Sequence, residues 1–477
     1  MKMFRISIIS IIVLAANIVF ASRGNGIHAV PHVDGTTLSI LWTIPFAGIL
    51  LSIAVMPLVS PHFWHNNFGK VSFFWALSFI VPFIIVEGYS ITLYEFLHII
   101  LLDYVPFIIL LLALFTISGG IRLKGTLVGT PLLNLIIILI GTVLASWMGT
   151  TGAAMLLIRP LIRANQHREH KVHVIVFFIF LVANIGGSLT PLGDPPLFLG
   201  FLKGVDFFWT TSAMIIPMLF MVVTLLLTFF IIDSRFYGFE DHSKKPVTDV
   251  KEKFGIEGSI NFLFLLGVIA SVLMSGIWNT HTSFIIYNVK LTLPNLLRDI
   301  LLLTLTVLSW RFTSITLRQE NQFTWFPIQE VAKLFAGIFI TIIPAIAILR
   351  AGTNGALSAI INSVSSNGEP INYMYFWATG ILSSFLDNAP TYLVFFNTAG
   401  GNAQELMGPL HHTLLAISVG AVFMGANTYI GNAPNFMVKS IAEEQNISMP
   451  SFFGYMIKYS IPILIPLYVL VTFIFFL

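Results

Sequence analysis

The chain has 477 residues, of which 56% are hydrophobic and only 9% are charged, and its mean hydropathy is +0.90. These values exclude a soluble globular protein and are typical of a protein that crosses a membrane many times. The net charge of +3 is small and its basic residues are scattered over short loops, which argues against nucleic-acid binding, while the absence of cysteine excludes disulfides, iron–sulfur clusters and thiolate metal sites.

The first 21 residues combine a basic start with a short apolar core. Lys2 and Arg5 precede the core, and Ala21 has the small side chain that is typical of a cleavage site. The segment 1–21 therefore predicts a signal peptide, with an uncleaved first helix as the alternative. In either case the positive charges favour a cytoplasmic start and place Ser22 outside, so we expect a multi-pass protein of a bacterial inner membrane.

Apolar segments long enough to cross a membrane as helices recur along the rest of the chain, with no soluble domain between them. The longest hydrophilic interruption, 234–258, carries both charge signs. We interpret it as a cytoplasmic linker between an N-terminal half, 38–233, and a C-terminal half, 259–477. The predicted segments are 38–59, 71–92, 95–118, 131–146, 172–202, 207–233, 259–277, 295–316, 328–349, 373–400, 412–441 and 455–477.

The two halves match each other at a constant offset of 238 positions. GGSLTPLGDPPLF (186–198) aligns with MGANTYIGNAPNF (424–436), and LASWMGTTG (144–152) aligns with LSSFLDNAP (382–390) without a gap. Duplicated halves are typical of secondary transporters, which bind their ligands at the repeat interface near the bilayer midplane. The shared residues, most of which interrupt helices, are Gly187 with Gly425, Thr190 with Thr428, Gly193 with Gly431, Pro196 with Pro434 and Phe198 with Phe436.

The charges of the short loops predict that the two halves have opposite orientations. Basic loops at 119–125 and 163–171 flank the segment 126–162 and place both of its ends in the cytoplasm. This segment is therefore predicted to be a re-entrant hairpin with its tip at WMGTTG (147–152). The matching tip, LDNAP (386–390), is flanked by loops without Lys or Arg and enters from outside. We predict an all-α polytopic protein of two inverted repeats, each with a re-entrant helical hairpin and a broken transmembrane helix.

Two aspartates are predicted at membrane depth, where a charge costs at least about 2.5 kcal/mol unless it is compensated. Asp194 lies in the first helix break and Asp387 at the second hairpin tip, and their repeat counterparts are Asn432 and Gly149. An intramembrane carboxylate predicts a functional ion site. The alternatives are a helix cap or an ion pair, for which Arg159 is the best candidate counter-charge.

The surroundings of these carboxylates are rich in oxygen. Each broken helix leaves free carbonyls at one end and a positive amide end at the other. Such a site suits a small hard cation such as sodium, and it equally suits a proton, because removal from water favours the neutral carboxyl group. A group that holds either ion, but not both, can exchange them. The neighbouring hydroxyl residues are Thr150, Thr151, Thr190, Ser384, Thr391 and Thr428.

Most other charges in or near the predicted spans lie close to span ends and are predicted to be interfacial anchors. They include Asp103, Lys203, Arg298 and Asp299. The histidines show no helix-spaced metal pattern and are interpreted as loop and interface residues.

These motifs resemble the ion transporter superfamily, which includes NhaD-type sodium/proton antiporters, arsenite permeases and sodium-coupled di- and tricarboxylate transporters. The resemblance covers everything after the signal-like segment, and DNAPT and GNAPNFMVK are most similar to NhaD-like antiporters and to sequences described as citrate transporters. It implies a homodimer and two cation sites. The residues that it assigns to them are Thr150, Thr151 and Asp194 for one site and Asp387, Asn388 and Asn432 for the other.

The carboxylate transporters of this superfamily typically carry a Ser-Asn-Thr signature at each tip, whereas this chain has Gly-Thr-Thr at 149–151 and Asp-Asn-Ala at 387–389. An ionised Asp387 would oppose citrate, because two like charges 4 Å apart repel by about 4 kcal/mol at an effective dielectric of 20. We therefore expect a secondary active transporter that exchanges sodium for protons. Sodium could neutralise Asp387, so a sodium- or proton-coupled symporter of citrate or another di- or tricarboxylate is the alternative.

Two other classes of protein are less consistent with the sequence. A channel would have no need for two symmetric pairs of hairpin and broken helix. An enzyme is disfavoured because the chain has no Gly-x-Ser-x-Gly elbow, no His-Glu-x-x-His and no phosphate loop. We expect no cofactor apart from the sodium ion and the proton that are transported or drive transport.

Overall fold

The computed structural model describes residues 32–240, 253, 255–280 and 282–477. Within these ranges nine helices are long and apolar enough to cross a membrane, or ten if Phe326–Thr341 and Ile343–Arg350, which meet at 42°, form one bent span. This confirms a helical, multi-pass membrane protein. The signal peptide predicted at 1–21 lies outside the described residues. The nine helices are Ile40–Val59, Pro61–Glu87, Tyr89–Ser118, Pro131–Met148, Val172–Leu189, Phe207–Tyr237, Ile260–Ile277, Leu293–Phe312 and Phe452–Phe475.

Several of these spans contain non-α turns. The span Tyr89–Ser118 includes a π-helical turn at Ile100–Tyr104, and the last span includes another at Met456–Leu464. A π turn inserts an extra residue into the helix and so changes which side chains share a face. The shorter helices are Ile315–Glu320, Ser358–Val364 and Ala403–Met407, and two antiparallel strand pairs join Ser283–Ile286 to Val289–Thr292 and Ser365–Ser366 to Glu369–Pro370.

Two helix pairs lie at the predicted hairpins. The first hairpin consists of Pro131–Met148 and Thr150–Ala164, and hydrogen bonds between Asn134 and Asn165 join its two feet. The second hairpin consists of Asn372–Phe385 and Asn388–Thr398, which pack against each other.

Two helices are interrupted at the predicted breaks. The first broken helix consists of Val172–Leu181 and Pro195–Leu202, with a 3₁₀ turn at Ile185–Leu189 between them. The second consists of His411–Met424 and Ala433–Glu444, with a 3₁₀ turn at Gly425–Asn427. Pro196 and Pro434 lie in the first turn of the resumed helices, where a missing N–H costs little because that donor would be unpaired anyway.

The helices pack in two groups. The hairpins and broken helices pack on one another and on Phe207–Tyr237, and we call this group the central bundle. The helices between Ile44 and Ser118 pack on those between Ile260 and Arg350, and we call this group the frame. Buried residues make up 89% of the span Val172–Leu189 in the bundle but 22% of Pro61–Glu87 in the frame. The broken helix therefore lies inside the protein, away from lipid.

A short strand pair docks the end of the predicted linker on the loop that follows Ser118. Arg122–Lys124 pairs antiparallel with Gly255–Glu257, with Arg122 opposite Glu257. The Glu257 carboxylate accepts hydrogen bonds from Lys124 Nζ at 2.8 Å and from Arg122 Nη1 at 3.1 Å. These two cations hold the pKa of Glu257 below its usual value.

We expect this strand pairing to weaken in acid. Because the pKa of Glu257 is lowered when the strands pair, the ion pairs stabilise the pairing fully above the usual glutamate pKa, and this contribution is lost as the pH falls through the lowered value. Hydrogen exchange of the 255–257 amides, corrected for intrinsic rates, should show less protection at about pH 3 than at about pH 7. In a Glu257→Gln variant protection should be weaker and should not show this loss, and an identical acid response in both proteins would contradict the assignment.

Candidate functional site

The same hydrogen bonds hold each break against its own hairpin, at positions 238 apart. Thr190 Oγ1 donates to the carbonyl of Ser146, and Thr428 Oγ1 donates to the carbonyl of Ser384. Each threonine hydroxyl also accepts the backbone N–H two residues later, at 3.2 Å in both halves. The sequence match between the halves therefore corresponds to equal local geometry at these threonines.

Glycine allows the first hairpin tip to approach the first break closely. The tip turns at Gly149, whose φ of +80° disfavours other residues, and Thr150 N then donates to Gly193 O at 2.9 Å. A Cβ atom on Gly193 would overlap the backbone carbonyl of Gly187. These glycines bring the side chain that follows Gly193 against the hairpin tip.

The second break repeats this close approach but not the contact with its hairpin tip. A Cβ atom on Gly431 would lie 2.6 Å from the carbonyl oxygen of Gly425, so glycine is needed here as it is at Gly193. The N–H of Gly431 donates to Thr428 Oγ1 at 3.1 Å. Within the described ranges, however, no backbone N–H of the second tip donates to Gly431 O in the way that Thr150 N donates to Gly193 O. Gly193 and Gly431, which the offset of 238 positions aligns, are therefore alike inside the breaks but differ in their contact with the hairpin tip.

The side chain that follows Gly193 is Asp194, whose carboxylate lies at the centre of the site. Only 1% of the residue is exposed. Asn388 Nδ2 donates to Asp194 Oδ2 at 2.6 Å, while Asn432 Nδ2 and Thr150 Oγ1 donate to Oδ1 at 3.1 and 3.3 Å. Among the described residues no Lys, Arg or His forms an ion pair with this carboxylate. A buried carboxylate without a cationic partner is costly, and a proton or a bound cation would remove that cost.

Residues that the resemblance assigns to two different cation sites meet at one carboxylate. The resemblance assigns Asn388 and Asn432 to a second site, but both amides donate to Asp194 of the first. One carboxylate therefore receives donors from a hairpin tip and a helix break of the C-terminal half as well as from Thr150 of its own half. The observed arrangement is one shared centre around Asp194.

Asp387 lies beside this centre but makes a different contact. It is half-buried, and its Oδ1 accepts the backbone N–H of Ala389 at 3.0 Å as the N-cap of Asn388–Thr398. Its carbonyl accepts Thr391 Oγ1 at 3.0 Å. Of the alternatives considered from the sequence, the helix cap matches this geometry. Asp387 thus positions Asn388, the next residue, against Asp194.

The predicted counter-charge is not part of the site. Arg159 Nε and Nη2 both donate to Gln322 Oε1, at 3.2 and 3.0 Å. The guanidinium group of Arg159 therefore joins the first hairpin to the frame instead of neutralising an aspartate.

An amide network that was not predicted from the sequence links the two breaks. Asn184 Nδ2 donates to Asn435 Oδ1 at 2.7 Å, and Asn184 Oδ1 accepts from Asn432 Nδ2 at 3.3 Å. Asn435 Nδ2 in turn donates to the carbonyls of Gly425 and Thr428 in the second break. Asparagines inside apolar segments were the available signal, since a buried amide also needs partners.

Two buried amide oxygens, one at the tip of the second hairpin and one in the second break, lack a hydrogen-bond donor. They are Asn388 Oδ1 and Asn427 Oδ1, neither of which has a partner within the described ranges. The amide nitrogen of Asn427 donates to Ser384 Oγ at 2.9 Å. An unsatisfied buried polar atom costs about 1–3 kcal/mol. Such oxygens are available as ligands for a cation.

A cavity of about 100 Å³ opens on one side of Asp194, between the central bundle and the frame. It has room for several water molecules. Thr150, Thr151 and Asp194 line it from the first half, and Ala433 and Pro434 line it from the second. None of its described lining residues is Lys or Arg. The apolar wall includes Leu110, Leu114, Phe115, Phe198, Ile328 and Val331.

The helices and the site define a multi-pass membrane protein whose interrupted helices meet at a buried carboxylate. Residues 35–476 match the family described as "Putative citrate transport", and the chain belongs to this family. The match confirms the resemblance to the ion transporter superfamily and to its citrate transporters. The matched family is a family of transporters. No curated protein matches the chain.

Proposed function

We propose that this chain is a secondary active transporter of a bacterial inner membrane that exchanges sodium for protons at Asp194. The supporting observation is the buried Asp194 carboxylate, which is bonded by two amides and a hydroxyl but by no described cationic side chain. A carboxylate in this position needs one positive charge, and the adjacent cavity can admit a hydrated ion. Sodium and a proton then compete for the same group, so binding of one releases the other.

Oxygen atoms around Asp194 are the candidate ligands for sodium. They are the carboxylate itself, the hydroxyls of Thr150 and Thr151, and the unpaired Oδ1 of Asn388. Asn388 donates its N–H group to Asp194 in this structure, so rotation of the amide would turn its oxygen toward a bound ion. Asn432 stays available as the hydrogen-bond donor that orients the carboxylate.

We also propose that the halves 38–233 and 259–477 are inverted repeats joined by the cytoplasmic linker 234–258. The equal hydrogen bonds at positions 238 apart support the repeat, and the loop charges support the inversion. Both hairpins are then re-entrant, and the site opens to either side of the membrane in turn.

Family membership favours a second candidate, a symporter of citrate or another di- or tricarboxylate. Because the described lining of the cavity lacks Lys and Arg, a carboxylate substrate would need sodium or a proton on Asp194 to offset repulsion. The same residue would then hold the coupling ion.

Proteoliposomes distinguish the two candidates. The purified protein is reconstituted with an internal pH dye, a proton gradient is imposed, and sodium is added with or without citrate, with potassium at equal ionic strength as the control. Exchange predicts that sodium alone dissipates the gradient. No response to sodium alone, together with sodium-dependent uptake of labelled citrate, would support the symporter and overturn the exchanger.

Asp387→Asn is expected to retain sodium-driven proton movement within a few-fold of the unsubstituted protein. Asparagine is as good an N-cap as aspartate, so the start of Asn388–Thr398 and the position of Asn388 should persist. Asp387→Ala, which removes the cap, should lower the free energy of unfolding by about 1 kcal/mol. Complete loss of transport in a folded Asp387→Asn variant would show that this carboxylate also binds an ion.

A further inference from the structure

The helix that follows the first break carries a charge at each end. Asp194 is the N-cap of Pro195–Leu202, and Lys203 is the residue at its C-terminal end. The helix is only about 12 Å long, at 1.5 Å per residue, so about two turns of hydrogen-bonded backbone connect its two ends. A contact that holds Lys203 therefore restricts the movement of Asp194 relative to the frame.

Lys203 forms an ion pair with Asp103 of the frame. Lys203 Nζ donates to Asp103 Oδ2 at 2.6 Å, with side-chain exposures of 13% and 1%. Asp103 lies in the π-helical turn Ile100–Tyr104. Both residues belong to the charges for which interfacial anchoring was predicted, but the buried carboxylate of Asp103 bonds to Lys203 and does not face lipid or water.

A second charged residue of the frame lies near the same short helix. The guanidinium of Arg298 lies 6.0 Å from the ring centre of Phe198, which lines the cavity, and its Nε donates to Asp299 at 2.8 Å. Arg298 therefore contacts the short helix only through the aromatic ring of Phe198. Lys203 and Asp103, in contrast, form a direct hydrogen bond between the central bundle and the frame.

A gain in folding stability does not explain well why a buried ion pair occurs at this place. Removing two charges from water offsets most of their attraction, and apolar residues of equal volume often stabilise a protein as well or better. The best-attested role of a buried ion pair is to specify one arrangement over another. This pair joins the two groups of helices between which the cavity lies.

We propose that Asp103 and Lys203 are positioning residues that lock the helix of Asp194 to the frame in the conformation seen here, and that their ion pair separates in the other conformation of the transport cycle. This inference rests on the proposed transport function. It predicts that alternate access to Asp194 requires Lys203 to leave Asp103.

The first test uses the absence of cysteine from the chain. Asp103→Cys and Lys203→Cys are combined, and the two introduced thiols are bridged in proteoliposomes with a short bis-methanethiosulfonate reagent, which forms a reducible disulfide with each cysteine and releases sulfinate. Transport should be lost on bridging and should return on reduction. The control bridges Arg122→Cys to Glu257→Cys, which lie opposite each other in the strand pair that joins the loop after Ser118 to the segment before Ile260, and should leave transport unchanged. Equal transport before and after bridging of the Asp103→Cys, Lys203→Cys protein would overturn the proposal.

A second test measures the labelling of one cysteine, and it requires neither a transport assay nor a functional Asp103→Cys, Lys203→Cys protein. A single cysteine replaces Val331, which lines the cavity from the frame, and its rate of maleimide labelling is measured. Asp103→Asn and Lys203→Gln should each change that rate by about tenfold, as expected when the balance between two conformations shifts. The exchanged pair Asp103→Lys with Lys203→Asp should restore it. Unchanged labelling in both single variants would refute the lock, whereas absence of any ion flux in the unsubstituted protein would refute the proposed function alone.

Discussion

Asp194→Asn is expected to abolish sodium-driven proton movement, reducing it to the level of empty liposomes, while the protein remains folded. The substitution conserves size, but the amide can neither release a proton nor balance the charge of a bound cation. Because Asp194 is 1% exposed and no described cationic side chain pairs with it, loss of its charge leaves no buried cation unpaired. Dye quenching in proteoliposomes measures the proton movement, and thermal unfolding in detergent shows whether the variant is folded.

A matched variant tests whether the position or the charge of Asp194 matters. Asn432 occupies the equivalent position of the other half and donates to Asp194 at 3.1 Å. The double variant Asp194→Asn with Asn432→Asp keeps one carboxylate and one amide in the same cluster, so part of the transport should return. Full transport by Asp194→Asn alone would contradict the assignment of the ion site.

Arg168→Met is expected to lower the free energy of unfolding by about 3–5 kcal/mol, the cost of breaking a buried ion pair by removing one partner. Arg168 Nη2 donates to Asp233 Oδ1 at 2.5 Å, and both side chains are 0% exposed. Asp233 also bonds to His173 at 2.7 Å and to Asn134 at 3.0 Å. This cluster ties the feet of the first hairpin to Phe207–Tyr237.

The control for this prediction is an exposed ion pair. Lys439 bonds to Glu443 at 2.7 Å on the surface of Ala433–Glu444, with exposures of 19% and 42%. Lys439→Met should lower stability by less than about 1 kcal/mol, because water and salt screen exposed pairs. Equal thermal stability of the Arg168→Met and Lys439→Met variants would show that the buried cluster does not hold the hairpin.

The helix breaks could be predicted because their causes are local. Glycine and proline act on their own backbone, so 186–198 and 424–436 are visible in the sequence without knowledge of contacts. Asp194 was visible for a similar reason, since a charge in an apolar segment needs a partner or a function. The constant offset then identified Asn432, which proves to contact Asp194.

Contacts between distant segments could not be predicted in the same way. An aspartate that precedes a helix can cap it or bind an ion, and the sequence does not separate these roles at Asp387. Asp103 lies near the start of the span predicted at 95–118, but the helix begins at Tyr89, and Asp103 is buried within the π turn Ile100–Tyr104. The network of Asn184 and Asn435 joins residues 251 positions apart and carries no charge that would reveal it.

Proton release on sodium binding tests the central claim most directly. Sodium chloride is added to the purified protein in weakly buffered detergent solution that contains a pH dye, with choline chloride as the control. If Asp194 exchanges its proton for sodium, the unsubstituted protein should release up to about one proton per chain at saturation, and Asp194→Asn should release none. Equal release by both proteins, or none by either across the pH range in which the protein is folded, would contradict the account.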